Sequence, residues 1–276
     1  MTIGWLEAAV LGVLQGLTEF IPVSSTAHLR IAAALLGWDD PGAAFTAVTQ
    51  LGTEAAVLVY FRRDIWQILR TWTLSLARPA LRHEPAARLG WYVILGTLPI
   101  AALGLALQST IETTFRDLRI IGVTLIVFGV VLGVADRAAR NARPMEQLTL
   151  PHALAFGAAQ ALALVPGVSR SGGTISAGLL LGYTRQAAAR YAFLLAVPAV
   201  LASGLLELLD IGGADTPAWG PTLLATGLAF AVGFGVIAAL LRYLATGRFR
   251  PFVLYRITLG LAVIVLVQAG VLDALP

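Results

Sequence analysis

The sequence predicts an all-α polytopic membrane protein, with six transmembrane helices plus two re-entrant helical hairpins in an inverted-topology repeat. Three observations predict it. Of the 276 residues, 58% are hydrophobic and 12% charged, and the mean hydropathy is +0.83; soluble domains run at about 45–50% and about 25%. So little charge cannot solvate the surface of a folded chain of this size. A soluble globular protein, a disordered chain and a basic nucleic-acid-binding domain are excluded. Six apolar runs are long enough to cross a bilayer, and two further apolar stretches are interrupted midway by proline and hydroxyl residues. Long apolar runs with polar breaks indicate helices rather than a barrel.

A crossing needs about 20 helical residues, and the runs near 43–61, 89–107, 118–135, 188–209, 222–241 and 252–272 supply them. The 19 cations are all arginine, and they sort onto alternate connections. Arg62, Arg63, Arg70, Arg78, Arg82 and Arg88 follow the first run, Arg137, Arg140 and Arg143 follow the third, and Arg242, Arg248 and Arg250 precede the last. The 210–220 connection holds Asp210 and Asp215 without a cation, the tail holds only Asp273, and the 108–117 loop is mixed, with Glu112, Arg116 and Asp117. The positive-inside rule then puts the arginine-rich connections in the cytoplasm and the C-terminus outside. The N-terminus lacks a basic region and a small-residue cleavage site, so no removable signal peptide is expected.

The two broken stretches are 4–36, interrupted at Phe20-Ile21-Pro22-Val23-Ser24-Ser25-Thr26, and about 151–182, interrupted at Val165-Pro166-Gly167-Val168-Ser169-Arg170-Ser171-Gly172-Gly173-Thr174. A half of about 12 residues rises about 18 Å, which reaches the bilayer middle without crossing it. Counting crossings, 151–182 must enter and leave from the inside, and 4–36 dips in from outside. Broken backbone at that depth survives only when buried in protein or lining a wet cavity. Shifting the sequence by 145 residues sets Gln15 on Gln160, Leu17 on Leu162, Val23-Ser24 on Val168-Ser169, Thr26 on Ser171 and Leu36-Gly37 on Leu181-Gly182. The chain is then one integral membrane domain with halves near 1–135 and 146–276. Inverted repeats bring two broken elements together near the midplane, around a functional site.

Charges inside apolar segments are costly and are functional candidates by default. Glu19, His28, Glu54 and Arg170 stand out. Gln15 and Glu19 share a helix face at i,i+4. Ser24 or Ser25 is a natural N-cap for the half-helix carrying His28, and either hydroxyl can lie beside the imidazole. Ser169 or Ser171 can cap the corresponding helix through Thr174, and Gly167, Gly172 and Gly173 leave its backbone open to close approach. Two half-helix N-termini plus the Arg170 fork make a phosphate site. His28 near a hydroxyl could activate a nucleophile, and Glu19 could orient His28 or hold a divalent cation with Gln15 in support. The bland alternatives are a structural Arg170–Glu19 pair and a Glu54 paired with Arg170 or another buried donor. Gly96-Thr97-Leu98-Pro99 and Val197-Pro198 read as kinks and close-packing points, and Arg185 and Arg190 as interfacial anchors.

Other machineries are missing. Without lysine there is no P-loop and no ATP partner. The lipid-phosphatase signature opening with Lys is equally unavailable. His28, His83 and His152 are too far apart for a local zinc motif, and the absence of cysteine removes disulfides and thiolate chemistry.

The run Leu14-Gln15-Gly16-Leu17-Thr18-Glu19-Phe20-Ile21-Pro22-Val23-Ser24-Ser25-Thr26-Ala27-His28 closely resembles the first signature of the undecaprenyl-diphosphate phosphatases, the bacitracin-resistance proteins of the bacterial envelope. Pro166-Gly167-Val168-Ser169-Arg170-Ser171-Gly172-Gly173-Thr174 resembles their second, and the similarity runs over essentially the whole chain. The resemblance implies removal of the terminal phosphate from a C55 isoprenoid diphosphate, recycling the carrier lipid for peptidoglycan synthesis. It also implies a divalent cation, Mg2+ or Ca2+, and a site open to the outer face of the bacterial cytoplasmic membrane. Carried over by motif position, Glu19, His28 and Arg170 are central and Ser25 is the candidate nucleophile. Gln15, Ser24, Thr26, Ser169, Ser171 and Thr174 bind or support phosphate. The family has Glu or Gln at the position of Gln15, so weight for the cation falls on Glu19. The motif leaves open whether Ser25 attacks or His28 activates a water. A carrier-lipid flippase is the competing function, and a homodimer is compatible with the sequence without being required by it.

Overall fold

A computed structural model describes residues 3–40, 42–107, 114–210 and 218–275. Among the described residues there are eleven α-helices and no β-strand: α1 (Trp5–Thr18), α2 (Ser25–Leu36), α3 (Gly42–Tyr60), α4 (Arg62–Ala77), α5 (Pro85–Ala106), α6 (Leu118–Ala138), α7 (Leu150–Ala161), α8 (Arg170–Leu180), α9 (Arg185–Asp210), α10 (Trp219–Tyr243) and α11 (Arg250–Gln268). Five of them, α5, α6, α9, α10 and α11, are long and apolar enough to cross a membrane, and the bent pair α3–α4 makes a sixth candidate. The protein is an integral membrane protein. Trp66, Leu69, Leu98, Val134, Leu223 and Val265 all expose large apolar surfaces that water would not tolerate in such number.

One stretch departs from expectation. The arginine-rich connection after the first span is helical, and α4 turns away from α3 by 78°. Arg62, Arg63 and Arg70 alternate along it with exposed Trp66 and Leu69, the pattern of a helix lying along a membrane interface. The side chain of Asp210, and Glu112 and Asp215 altogether, lie outside the described residues.

The helices pack through small residues, as they must where lipid gives no hydrophobic drive for helix to meet helix. A Cβ on Gly12 of α1 would stand 2.5 Å from the Ala225 carbonyl of α10, one on Gly157 of α7 would stand 2.2 Å from the Gly96 carbonyl of α5, and one on Gly260 of α11 would stand 2.6 Å from that of Gly122 on α6. These contacts are reciprocal across the chain. The first short helix, α1, packs on a long helix of the C-terminal half, and the second, α7, packs on a long helix of the N-terminal half. Long helices α6 and α11 pack on each other.

Gly96 is thus a close-packing point, while α5 and α9 continue through Pro99 and Pro198. Arg185 and Arg190 prove to be cross-links between helices rather than free anchors. Arg185 Nε donates to Asp136 Oδ1 at 2.6 Å, and Arg190 Nη2 lies 2.8 Å from Asp64 Oδ2.

Candidate active site

Both interruptions fold the same way. Ser24 has φ 75° and ψ 98°, and Ser169, 145 positions later, has φ 72° and ψ 119°. Among the described residues Asn141 is the only other non-glycine residue with positive φ. This sparsely populated conformation costs an L-residue on the order of 1–3 kcal/mol, so each serine must be held in it. Each caps the helix that follows. Ser24 Oγ accepts from the Ala27 N–H at 3.4 Å, and Ser169 Oγ accepts from the Gly172 N–H at 3.1 Å. Ser24 and Ser169, rather than Ser25 and Ser171, are the caps.

The two breaks also touch. Gly167 N donates to Ser24 Oγ at 3.1 Å. Gly167 has φ +92°, and a Cβ there would stand 2.0 Å from Thr124 Oγ1, so only glycine fits. The helix N-termini of α2 and α8 therefore open beside one another, which concentrates unpaired N–H groups and positive dipole ends.

Four polar side chains meet in this junction. Arg170 Nη2 donates to Glu19 Oε1. Glu19 Oε2 accepts from Ser25 Oγ at 2.6 Å and from Gln15 Nε2 at 2.8 Å. Ser171 Oγ lies 3.3 Å from the carbonyls of Glu19 and Ile21 and 3.1 Å from Ser169 Oγ, which ties the second break to the end of the first hairpin's inward half. Glu19 side-chain exposure is 4%, while Arg170 keeps 18%, so the fork is the more accessible partner. Thr174 bonds back to its own helix at the Arg170 carbonyl, 2.7 Å away. Thr26 is partly buried at the start of α2 and belongs to none of these bonds.

Three expectations are corrected here. His28 is not hydrogen-bonded to the hydroxyl of Ser24 or Ser25. Its Nδ1 lies 2.7 Å from the Ser24 carbonyl oxygen and its Nε2 lies 2.7 Å from the Tyr255 hydroxyl, with the two rings stacked at 5.5 Å. Glu19 orients Ser25, not His28. The cause is the cap: Ser24 turns its Oγ into the break, and Ser25, first residue of the helix, swings back toward Glu19. Third, among the described residues Glu54 forms no hydrogen bond or ion pair with Arg170 or another donor. It is 2% exposed, and its Oε1 has no hydrogen-bond partner.

Orphaned polar atoms recur around the junction. Gln15 and Gln160 are both fully buried, and Gln15 Oε1 and both amide atoms of Gln160 lack partners. Each such group costs about 1–3 kcal/mol. Among the described residues no three His, Asp or Glu side chains cluster as a ready-made metal cage.

Arg256 escaped the sequence reading. It is fully buried on α11 and binds both breaks at once: Nη1 donates to the Pro22 carbonyl at 2.9 Å, and Nη2 to those of Gly167 and Val168 at 2.7 and 3.0 Å. The signal was present, since a lone arginine inside an apolar run marks a site as surely at 256 as at 170. Tyr255 beside it had no such mark. Arg30, one turn beyond Thr26 on α2, is also buried, with its Nε 3.6 Å from Asp40 Oδ2. A separate cavity of about 310 Å³, lined by Asp64, Arg88, Tyr92, Glu146 and Arg190, holds none of the junction residues.

Residues 8–262 match the family described as bacitracin resistance protein BacA. A protein of Frankia casuarinae named undecaprenyl-diphosphatase 2 is 60% identical over 282 residues, covering 98% of this chain and 97% of that one. One of Streptomyces coelicolor with the same name is 56% identical, with 98% and 97% covered. One of Nocardioides sp. named undecaprenyl-diphosphatase is 57% identical, with 99% and 100% covered.

Proposed function

The chain belongs to the bacitracin-resistance protein family, and from that premise we propose that it hydrolyses undecaprenyl diphosphate to undecaprenyl phosphate and inorganic phosphate. The product returns to service as the lipid carrier of peptidoglycan synthesis, and its regeneration confers bacitracin resistance. The observation that carries this reading is the junction itself, where Arg170 of one break meets Glu19 and Ser25 of the other.

The arrangement in the membrane follows. Helices α3, α5, α6, α9, α10 and α11 cross the cytoplasmic membrane, α4 lies along its interface, and the short helices α1–α2 and α7–α8 are re-entrant hairpins inserted from opposite sides. The reciprocal packing of α1 on α10 and of α7 on α5 and the matched serines support an inverted repeat. The arginine-rich ends are cytoplasmic, and the site opens outward, where the diphosphate can reach it while the isoprenoid tail stays in lipid.

Hydrolysis here is positioning plus charge neutralisation. The terminal phosphate competes with Glu19 for the Arg170 fork and receives N–H groups from the starts of α2 and α8. Ser25 Oγ, already donating its proton to Glu19 Oε2, attacks the terminal phosphorus. The bond from that phosphorus to the bridging oxygen breaks, undecaprenyl phosphate leaves, and the proton passes to Glu19. Water then cleaves the phosphoserine, releases phosphate and restores the hydroxyl. The bond from Ser25 to Glu19 supports this route over a water activated by His28, whose Nε2 faces Tyr255.

A divalent cation, Mg2+ or Ca2+, fits the site. The orphaned Gln15 Oε1 and the Glu19 carboxylate are oxygen donors of the kind such ions take, with substrate phosphate completing the set. When bound, it would neutralise charge on the diphosphate.

The test is phosphate release from undecaprenyl diphosphate by the purified protein in detergent. Arg170→Ala and Ser25→Ala are each expected to lower turnover by at least about 10²-fold, the scale of a lost oxyanion donor or nucleophile. Wild-type turnover in both variants would sink the assignment.

A further inference from the structure

Glu54 has no place in the chemistry just described, yet it is a buried carboxylate with no hydrogen bond or ion pair among the described residues. It sits midway along α3, 2% exposed, with Oε1 unpartnered, where a carboxylate in a lipid-embedded bundle is normally paired. Its surroundings place it at the junction. Thr53 and Ala56, on either side of it, converge with Phe20 on Gly233 of α10, and Phe20 follows Glu19 directly. On the facing helix α1, Gln15 is fully buried and its Oε1 is unpartnered too. Two buried oxygen acceptors on neighbouring helices are therefore without donors, while the two oxygens of Glu19 bond to Arg170, Ser25 and Gln15 Nε2.

A structural role does not account for this. A buried carboxylate kept for packing normally acquires a donor, and Arg170 gives its Nη2 to Glu19 rather than to Glu54. Oxygen atoms left without hydrogens to accept, close to a second carboxylate, are what a hard cation requires. Gln15 can contribute only a neutral amide oxygen, so a site built from α1 alone would carry a single negative charge. Glu54 adds the second.

We propose that Glu54 is a carboxylate ligand of the divalent cation, completing with Glu19 and the Gln15 amide oxygen a site that spans α1 and α3. This rests on the reading that the phosphatase site uses such a cation. It also makes a specific claim about charge: a carboxylate moved to position 15 should replace the one at 54.

The test is Mn2+ binding to the full-length, detergent-solubilised protein, read as loss of the free-ion electron paramagnetic resonance signal, without substrate or turnover. Glu54→Gln keeps size and removes charge, and should weaken Mn2+ binding at least about tenfold, the scale of losing part of a metal's ligand sphere. Adding Gln15→Glu to that variant should restore affinity to within about threefold of wild type. Unchanged binding in Glu54→Gln overturns the proposal. Weakened binding that Gln15→Glu fails to rescue overturns it as well, because Glu54 would then act through packing. Absence of Mn2+ binding by the wild type overturns the cation reading itself, and is told apart from the other two results by that control.

Discussion

The two breaks share a backbone and divide the chemistry. Ser24 and Ser169 adopt nearly the same rare conformation and cap the next helix in the same way, and Gln15 and Gln160 are buried to the same extent. The reactive positions do not repeat. At the 145-residue offset, Ser25 corresponds to Arg170, Glu19 to Leu164 and His28 to Gly173. The first break thus carries the Ser25 hydroxyl, the Glu19 carboxylate it bonds to and the His28 imidazole, while the second carries the Arg170 guanidinium and the glycines that let the backbone approach. The matched breaks set two helix N-termini side by side. Each copy alone is an incomplete site, so the contacts that lock the copies together matter as much as the residues that react.

Arg256 is the largest of those contacts, and it belongs to neither break. Its guanidinium binds the Pro22 carbonyl of the first and the Gly167 and Val168 carbonyls of the second. Arg256→Met keeps most of the volume and leaves three buried carbonyls without donors. Stability should fall by about 3–5 kcal/mol, as when one partner of a buried charged network is removed. Unfolding in detergent followed by circular dichroism measures it. A loss below about 1 kcal/mol would mean the breaks hold together without the clamp.

The caps come next. Ser24 Oγ accepts from two N–H groups, Ala27 and Gly167, whereas Ser169 Oγ accepts from one N–H, that of Gly172. Ser24→Ala should therefore cost about 1–2 kcal/mol and Ser169→Ala less, within the range of a lost N-cap. Glycine at either site should cost less than alanine, because it relieves the positive φ while also losing the cap. Equal losses for both alanine variants would show that the serines act only within their own breaks.

What could be read in the sequence, and what could not, follows from the range of the interactions. Pro22, Pro166 and the serine runs announce the breaks locally, and Arg170 announces a buried anion because charge in an apolar run is costly. Arg256 obeys the same rule and was hidden by the length of the run around it. Which serine caps and which turns to Glu19 depends on a single backbone torsion, and no pattern of residue types encodes that. The bond between His28 and Tyr255 joins positions 227 apart, and only the packing of α2 against α11 creates it. Helix α4 was legible in its alternation of arginine with tryptophan and leucine, but charge density made it read as a connection.

Tyr255 offers the smallest and most specific test of the asymmetry, since Gly173 leaves the second break without any imidazole for a counterpart to serve. Because His28 Nδ1 faces a carbonyl, which can only accept, its proton lies on Nδ1. In the neutral ring Nε2 must then accept from the Tyr255 hydroxyl. Tyr255→Phe keeps the stacked ring and removes only that hydroxyl. If Tyr255 positions His28 for its part in phosphate release, kcat should fall about 3–10-fold, the worth of one hydrogen bond. KM for the lipid diphosphate should stay the same, and the pH dependence of kcat should shift. A structural role would instead lower stability and leave the pH profile in place. A fall as deep as that of His28→Ala would make the α11 phenol, rather than the imidazole of the first break, the group that acts there.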